Sequence, residues 1–439
     1  MLGRLRWTAA VAALVSASCI VAADVRAAEP RAWAEAHLNE LLELYYHFHR
    51  HPELSFEEKE TSQRVAKELA SLDIDVTSRV GGYGVVGLVK NGDGPTLMLR
   101  ADMDALPVVE ATQLPYASTV RVAGDDGSEV GVMHACGHDV HITNLLGVAR
   151  YLVEHRDRWS GTLLLVFQPA EERGNGARKM LDDGLFERFP RPDFALALHV
   201  DSTLPAGQVG YRAGYTLANV DSVDITLYGR GGHGAYPHTT IDPIVEAARL
   251  VLDLQSVVAR EIPPLEPAVI TVGSIRGGAK HNVIADSCEL KLTVRSYKDE
   301  IREQLLAAIR RKALATAASS GAPEPKVEVS EGTPAMFNDD DLVERVVPTF
   351  RRVLGDALVL PSDPSMGGED FSFYGRAGVP IFMYRLGSVD AARLERYEQL
   401  GVEPPSLHSA VYYPDAPATL TVGITTMAAA ALDLLAPAP

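Results

Sequence analysis

From Arg31 to Arg50 apolar residues recur at helical spacing, with Leu38, Leu41, Leu42, Tyr45 and Tyr46 on one face, which predicts an amphipathic helix. A second helix is expected from Phe56 to Leu72. The pattern then changes. Val85 to Val89, Thr96 to Arg100, Thr162 to Phe167 and Phe194 to Leu198 are short, uninterrupted apolar runs. Continuous rather than alternating apolarity suits strands covered on both faces of an α/β sheet. His141 to Glu154 reads as the helix between two of these strands.

Residues 222 to 330 have another rhythm. Ser222 to Tyr228 reads as a strand, and Pro243 to Ala259 as a helix with Asp242 as N-cap and Pro at its first position. Two more strands, Ala268 to Ser274 and Cys288 to Ser296, are followed by a helix over Asp299 to Ala317 and a closing strand at Lys326 to Val329. The order β-α-β-β-α-β is that of a ferredoxin-like module. Polar, chemistry-rich sequence resumes after it at Gly367. The expected fold is therefore α/β. A mixed, largely parallel sheet with helices on both faces spans 28–217 and 333–439, interrupted by an inserted α+β ferredoxin-like domain at 218–332.

Composition adds limits. At 439 residues, 46% hydrophobic and 23% charged, the chain has room for two or three domains and a large core. A net charge of -17 with no basic stripe speaks against a nucleic-acid or anionic-membrane partner. At the N-terminus, Arg4 and Arg6 precede an uncharged stretch from Thr8 to Ala23, and Val25-Arg26-Ala27 follows as a small-residue cleavage site. This reads as a signal peptide over 1–27 and an exported, periplasmic or secreted protein. The apolar run is short for a membrane span. Cys19 departs with that segment, leaving Cys136 and Cys288 far apart in sequence. That is no disulfide framework, so an unpaired cysteine in an oxidising compartment needs burial or metal ligation to account for it.

The candidate chemistry gathers at strand ends. Asp102 and Asp104 follow one expected strand, Glu171 and Glu172 another, and His199 a third. In an open α/β sheet the crevice beyond the carboxyl ends of the strands is where ligands bind. His134-Ala-Cys136-Gly-His138-Asp139-Val-His141 lies at a loop-to-helix junction, and His408 sits late in the chain. Taken singly, a histidine is more often a satisfied core or surface group, an adjacent Glu pair is usually solvated, and a cysteine can be a small apolar filler. Together, Cys136, His138, Glu172, His199 and His408 offer sulfur, nitrogen and oxygen donors suited to zinc, with manganese, cobalt or nickel as other divalent choices. A thiolate can bridge two cations, so two ions are the natural reading. Adjacent side chains on extended chain point to opposite sides. One of Glu171 and Glu172 is then expected to ligate and the other to act as general base.

The residues also resemble a known family. Arg100-Ala-Asp102-Met-Asp104-Ala-Leu-Pro107, His134-Ala-Cys-Gly-His-Asp-Val-His141, Phe167-Gln-Pro-Ala-Glu-Glu172, His233-Gly-Ala-Tyr-Pro-His238 and Met366-Gly-Gly-Glu-Asp-Phe-Ser372 occur in the order seen in one group of dinuclear metallopeptidases. That group comprises the aminoacylases, hippurate hydrolases and indole-acetyl-amino-acid hydrolases, and the likeness spans roughly residues 34 to 430. It implies an amidohydrolase acting on N-acyl amino acids or dipeptide-like amides, working as a homodimer through the inserted domain. By the same resemblance, Cys136, His138, Glu172, His199 and His408 hold two divalent ions, Glu171 is the base, and Asp104 orients a ligand. His233 polarises the scissile carbonyl across the dimer interface, and Asn282 and Arg295 hold the substrate carboxylate, although an ordinary ion pair accounts for Arg295 equally well. Asp102 stands where related peptidases carry a ligating histidine. The chain departs from the pattern at Ala285, where a proline is common, and at Lys280 and His281. These changes bear on the substrate rather than on the hydrolytic core.

Two other readings use the same residues. One is a non-catalytic periplasmic protein that binds a metal or small ligand, which would have no need of Glu171. The other is a thiol hydrolase with Cys136 as nucleophile and His138 as base.

Overall fold

The computed structural model describes residues 29–124 and 127–436, so the expected export segment lies outside the described residues. The chain divides into two compact units. The first takes in the described chain up to Ala213, then Asn338–Ser362, then the described chain from Ala377 onward; the second is Gly214–Phe337 with Asp363–Arg376.

The first unit is built on an eight-stranded sheet. In spatial order its strands are Asp75–Val80, Gly84–Asn91, Gly161–Gln168, Thr96–Asp102, Phe194–Pro205, Ile381–Val389, Val209–Tyr211 and Val359–Pro361. The four from Gly161–Gln168 to Ile381–Val389 run parallel. Antiparallel pairs flank them on either side, giving a mixed sheet with a parallel centre. In Thr96–Asp102 every residue after Thr96 is buried, and in Gly161–Gln168 every residue but Thr162. Burial on both faces suits their apolar runs, Leu97 to Leu99 and Leu163 to Phe167. Helices Leu38–Arg50, His138–Glu154, Asp340–Leu354 and Ala416–Leu434 share one core with these strands. Ala416–Leu434 is long and apolar enough to cross a membrane, but 78% of its apolar window is buried inside the protein.

Some boundaries differ from expectation for local reasons. The first helix is interrupted by a turn at His37. The second begins at Lys59 rather than Phe56, because Phe56 has φ +68°. His199 does not follow its strand; it lies within Phe194–Pro205, opposite Arg385.

The second unit is a four-stranded antiparallel sheet in the order Ala268–Gly277, Ser287–Ser296, Asn219–Tyr228, Lys326–Glu331. Helices Pro243–Arg260 and Asp299–Ser320 share a core with it. Val223, Ile225 and Leu227 face that core, while Ser222 and Asp224 are exposed; the strict alternation marks a sheet with one covered face. Asp242 caps Pro243–Arg260, its Oδ1 accepting from Ile244 N at 2.9 Å. Segment 363–376 belongs to this unit, although it falls within the block that the sequence pattern joins to the first. Arg295 Nη1 donates to Met366 O at 2.6 Å, and a Cβ on Gly368 would stand 2.6 Å from Val220 Cγ2.

Candidate active site

Five donor side chains converge in the first unit. Cys136 Sγ lies 3.5 Å from His199 Nε2 and 3.3 Å from His408 Nε2. Glu172 Oε1 is 3.8 Å from His138 Nε2 and 3.5 Å from His408 Nε2. Two ligands on one tetrahedral zinc sit roughly 3.3–3.8 Å apart, given metal–ligand bonds of about 2.0–2.3 Å. The donor atoms fall into two overlapping triads, Cys136 with His138 and His199, and Cys136 with Glu172 and His408, each within 4.8 Å of one another. Cys136 belongs to both, as a bridging thiolate must.

The hydrogen bonds prepare these donors. His138 Nδ1 lies 2.8 Å from Asp104 O and His199 Nδ1 2.8 Å from Val200 O. A carbonyl only accepts, so each ring carries its proton at Nδ1 and presents an Nε2 lone pair to the cluster. This is the arrangement that second-layer partners impose on metal-bound histidines. Among the described residues, His138 Nε2 and Glu172 Oε1 are buried with no hydrogen-bond partner, and such orphaned atoms at a native site call for an ion or water. The residues fit divalent cations.

The electrostatics agree. Burial pushes the Cys136 thiol well above its usual range, and the charge of Glu172 adds to this. Burial likewise pushes Glu172 up to about 7, against the pull of His138. His138 goes the other way: burial opposes its charge, but Asp102 and then Asp104 outweigh it and raise the pKa well above the ordinary value. Burial holds His199 well below the usual range, with His141 and Arg385 adding to the effect. Anions too buried to ionise alone, beside a neutral imidazole, are what a cation stabilises. A thiol nucleophile needs a lowered pKa instead, so Cys136 does not suit the thiol-hydrolase reading.

Local backbone sets the directions. Gly137, at φ +77°, starts helix His138–Glu154. His408 also lies in the left-handed region, at φ +69°, with its N–H on Ala135 O at 2.9 Å. That conformation costs a non-glycine residue roughly 1–2 kcal/mol, and such strain gathers at functional sites.

Three expectations are refined. Glu171 and Glu172 are not on extended chain but in a 3-10 turn, Glu171–Arg173, so alternation does not divide their roles; both reach within 4.8 Å of His138. Asp104 meets His138 Nδ1 more closely with its carbonyl than with its carboxylate, which is 3.4 Å away. The carboxylate instead accepts from Glu171 N and Glu172 N at 3.1 and 3.0 Å. Asp102 Oδ2 accepts from Arg100 Nη1 at 2.6 Å and its Oδ1 from His141 Nδ1 at 2.6 Å, while His141 Nε2 accepts from Val200 N at 3.0 Å. Asp102 and His141 satisfy each other, so their proximity to His138 does not make a separate metal site.

The remaining candidates belong to the second unit. His233 and Asn282 lie at a two-stranded ribbon, Gly232–His233 with Val283–Ile284, where Gly234 N donates to Asn282 O at 2.9 Å. Both side chains are exposed. His233 Nδ1 accepts from Ala235 N at 3.0 Å, leaving Nε2 as its other hydrogen-bonding atom. Arg295 spends donors on Met366 O and on Thr293 Oγ1, at 2.6 and 3.4 Å. Sequence reasoning passed over Glu58 and His49, whose burial leaves no mark in the local pattern.

Comparison with known proteins supports this picture. The profile of Peptidase family M20/M25/M40 matches residues 98–403. The N-acetyl-L-cysteine deacetylase of Bacillus subtilis is 37% identical over 338 residues, covering 76% of this chain and 77% of that protein. The IAA-amino acid hydrolase ILR1-like 2 of Arabidopsis thaliana is 36% identical over 344 residues, 78% of this chain and 75% of that one. Among solved structures, the Bacillus subtilis YxeP protein, described as a dinuclear metal binding peptidase from the M20 family, superposes with a TM-score of 0.74 at 30% identity, covering 91% of this chain and 99% of that one.

Proposed function

The chain belongs to peptidase family M20/M25/M40, a metal-dependent hydrolase by descent, and from that premise we propose that it hydrolyses the amide bond of N-acyl amino acids or small peptide-like substrates. The observation that carries the proposal is the pair of donor triads sharing Cys136, with Glu171 beside them. Cys136, His138, Glu172, His199 and His408 would hold two divalent cations, zinc foremost with manganese, cobalt or nickel as other choices, which when bound supply Lewis acidity and bring the pKa of water toward neutrality. Glu171 takes a proton from the water that adds to the acyl carbon. As the C–N bond breaks, Glu171 returns that proton to the leaving amine, so the products are a carboxylate and a free amino acid. His233 donates from Nε2 to the acyl oxygen as its charge grows. Asn282 and the unspent donors of Arg295 bind the substrate carboxylate.

We infer a homodimer formed through the second unit. Helix Pro243–Arg260 exposes Val245 at 47% and Leu252 at 74%, and the adjoining Ala268–Gly277, which exposes Ile275, is an edge strand of its sheet among the described residues. Apolar patches and bare edges of this kind favour pairing with a second copy. Export is proposed on the N-terminal charge and apolarity pattern.

The test is a panel of N-acetyl, N-benzoyl and N-indoleacetyl amino acids offered to the metal-loaded protein. Amino acid release that stops on chelation and returns with metal is expected. A panel left uncut, or cleavage indifferent to chelator, contradicts the reading.

A further inference from the structure

Three consecutive backbone N–H groups point at side-chain carboxylates beneath the Glu171–Glu172 pair. Ala170 N lies 2.8 Å from Glu58 Oε1, Glu171 N 3.1 Å from Asp104 Oδ1, and Glu172 N 3.0 Å from Asp104 Oδ2. Ala170 has φ +53°. Successive N–H groups around a left-handed residue form a concavity that favours anions, and here the protein supplies the anions itself.

Glu58 is the less expected of the two. It is fully buried, at 0% exposure. Its Oε1 also accepts from Phe56 N at 2.9 Å, and its Oε2 is buried without a partner among the described residues. Burying a carboxyl costs stability, and a leucine or methionine would fill the space without that cost. What an apolar side chain cannot supply is an acceptor for Ala170. The loop from Glu53 to Glu58 braces the same turn from a second direction, since Ser55 Oγ donates to Asp104 Oδ2 at 2.6 Å. The loop is itself anchored where the Glu53 carboxylate accepts from Glu60 N and Thr61 N, at 3.1 and 2.7 Å.

We propose that Glu58 is a positioning residue for the metal-binding centre: by holding the Ala170 N–H it fixes the left-handed residue from which Glu171 and Glu172 turn toward the donor cluster. Glu58 belongs to neither donor triad. Burial, with the charge of Asp104, pushes its pKa up to about 8, and the amide oxygen of a glutamine offers Ala170 N the same acceptor. The inference rests on the hydrolase reading only for what Glu171 and Glu172 do once positioned.

The experiment titrates the metal-free full chain with Mn²⁺ by calorimetry for wild type, Glu58→Met, Glu58→Asp and Glu58→Gln, and measures kcat and KM on a substrate the wild type cleaves. Glu58→Met matches the size but lacks the acceptor, and is expected to weaken Mn²⁺ binding about 10- to 100-fold. It should also lower kcat, with KM changed by no more than about twofold. Glu58→Asp withdraws the acceptor by one methylene while keeping a carboxylate, and gives an intermediate loss even if the methionine variant fails to fold. Glu58→Gln restores both quantities. Wild-type Mn²⁺ affinity in the methionine or aspartate variant overturns the proposal, as does a glutamine variant as impaired as its neighbours. The calorimetry needs no turnover, so a wild type that binds Mn²⁺ but cleaves nothing fails the hydrolase reading and leaves the Glu58 comparison intact.

Discussion

Away from the donor cluster, His49 sits buried between Asp139 Oδ2 at 2.7 Å and Glu110 Oε1 at 3.1 Å. Burial works against its charge, but the hydrogen bonds to Asp139 and Glu110 prevail and raise its pKa to about 9. A histidine whose folded pKa exceeds its unfolded value of 6.5 contributes stability that is fully present below pH 6.5 and disappears as pH rises through about 9. The shift corresponds to up to about 3 kcal/mol. Urea midpoints of metal-free wild type and His49→Gln should therefore lie far apart at pH 6 and converge above pH 9; curves that stay parallel across that range contradict the assignment. At this scale the sequence was legible where chemistry is written in residue type. Cys136, His138, Glu172, His199 and His408 were all named as donors, and the structure gathers them. It was not legible where position decides. His49 and Glu58 are ordinary helix and loop residues until burial and partners, distant along the chain, give them charge states of their own.

Elements deliver those residues, and their ends carry strain. Gly137 opens helix His138–Glu154 with φ +77°, and a Cβ there would stand 2.6 Å from Val200 Cγ2. Gly137→Ala combines a left-handed penalty with overpacking, a loss of about 2–4 kcal/mol. Because the same turn aims His138, metal occupancy should fall with the thermal midpoint; an alanine variant as stable and as metal-rich as wild type would show that the turn is not constrained. The strands beneath were readable because unbroken apolar runs at 85–89, 96–100, 162–167 and 194–198 have few other fates. Their ends were less so. Asp102 terminates its strand and His199 lies inside one, since sheet pairing with Ile381–Val389 continues past the apolar run. The turn of Glu171–Arg173 depends on Ala170 adopting φ +53°, which its alanine side chain does not announce.

Across the whole molecule two cores are separate, one around the large sheet and one in the ferredoxin-like unit, and the candidate residues divide between them. Cys136, His138, Glu171, Glu172, His199 and His408 belong to the first unit, His233, Asn282 and Arg295 to the second. If His233 serves a partner's site, inactive His233→Ala and Glu171→Gln chains should recover activity when dissociated and reassembled as mixed dimers, to about a quarter of wild type for random pairing and one repaired site per heterodimer. Mixtures that stay inactive while mixed dimers form would confine the site to one chain. The module was visible in the sequence through its β-α-β-β-α-β order, but segment 363–376 was not placed with it, because its ties to Val220 and Arg295 are long-range.

The most direct measurement is metal stoichiometry on the purified chain, by elemental analysis after equilibration with zinc or manganese and removal of excess. The account predicts two divalent ions per chain for wild type, two for Glu171→Gln, and fewer than one for Cys136→Ala, because one sulfur serves both triads. A wild type that holds no metal, or a Cys136→Ala chain that still holds two ions, would contradict it.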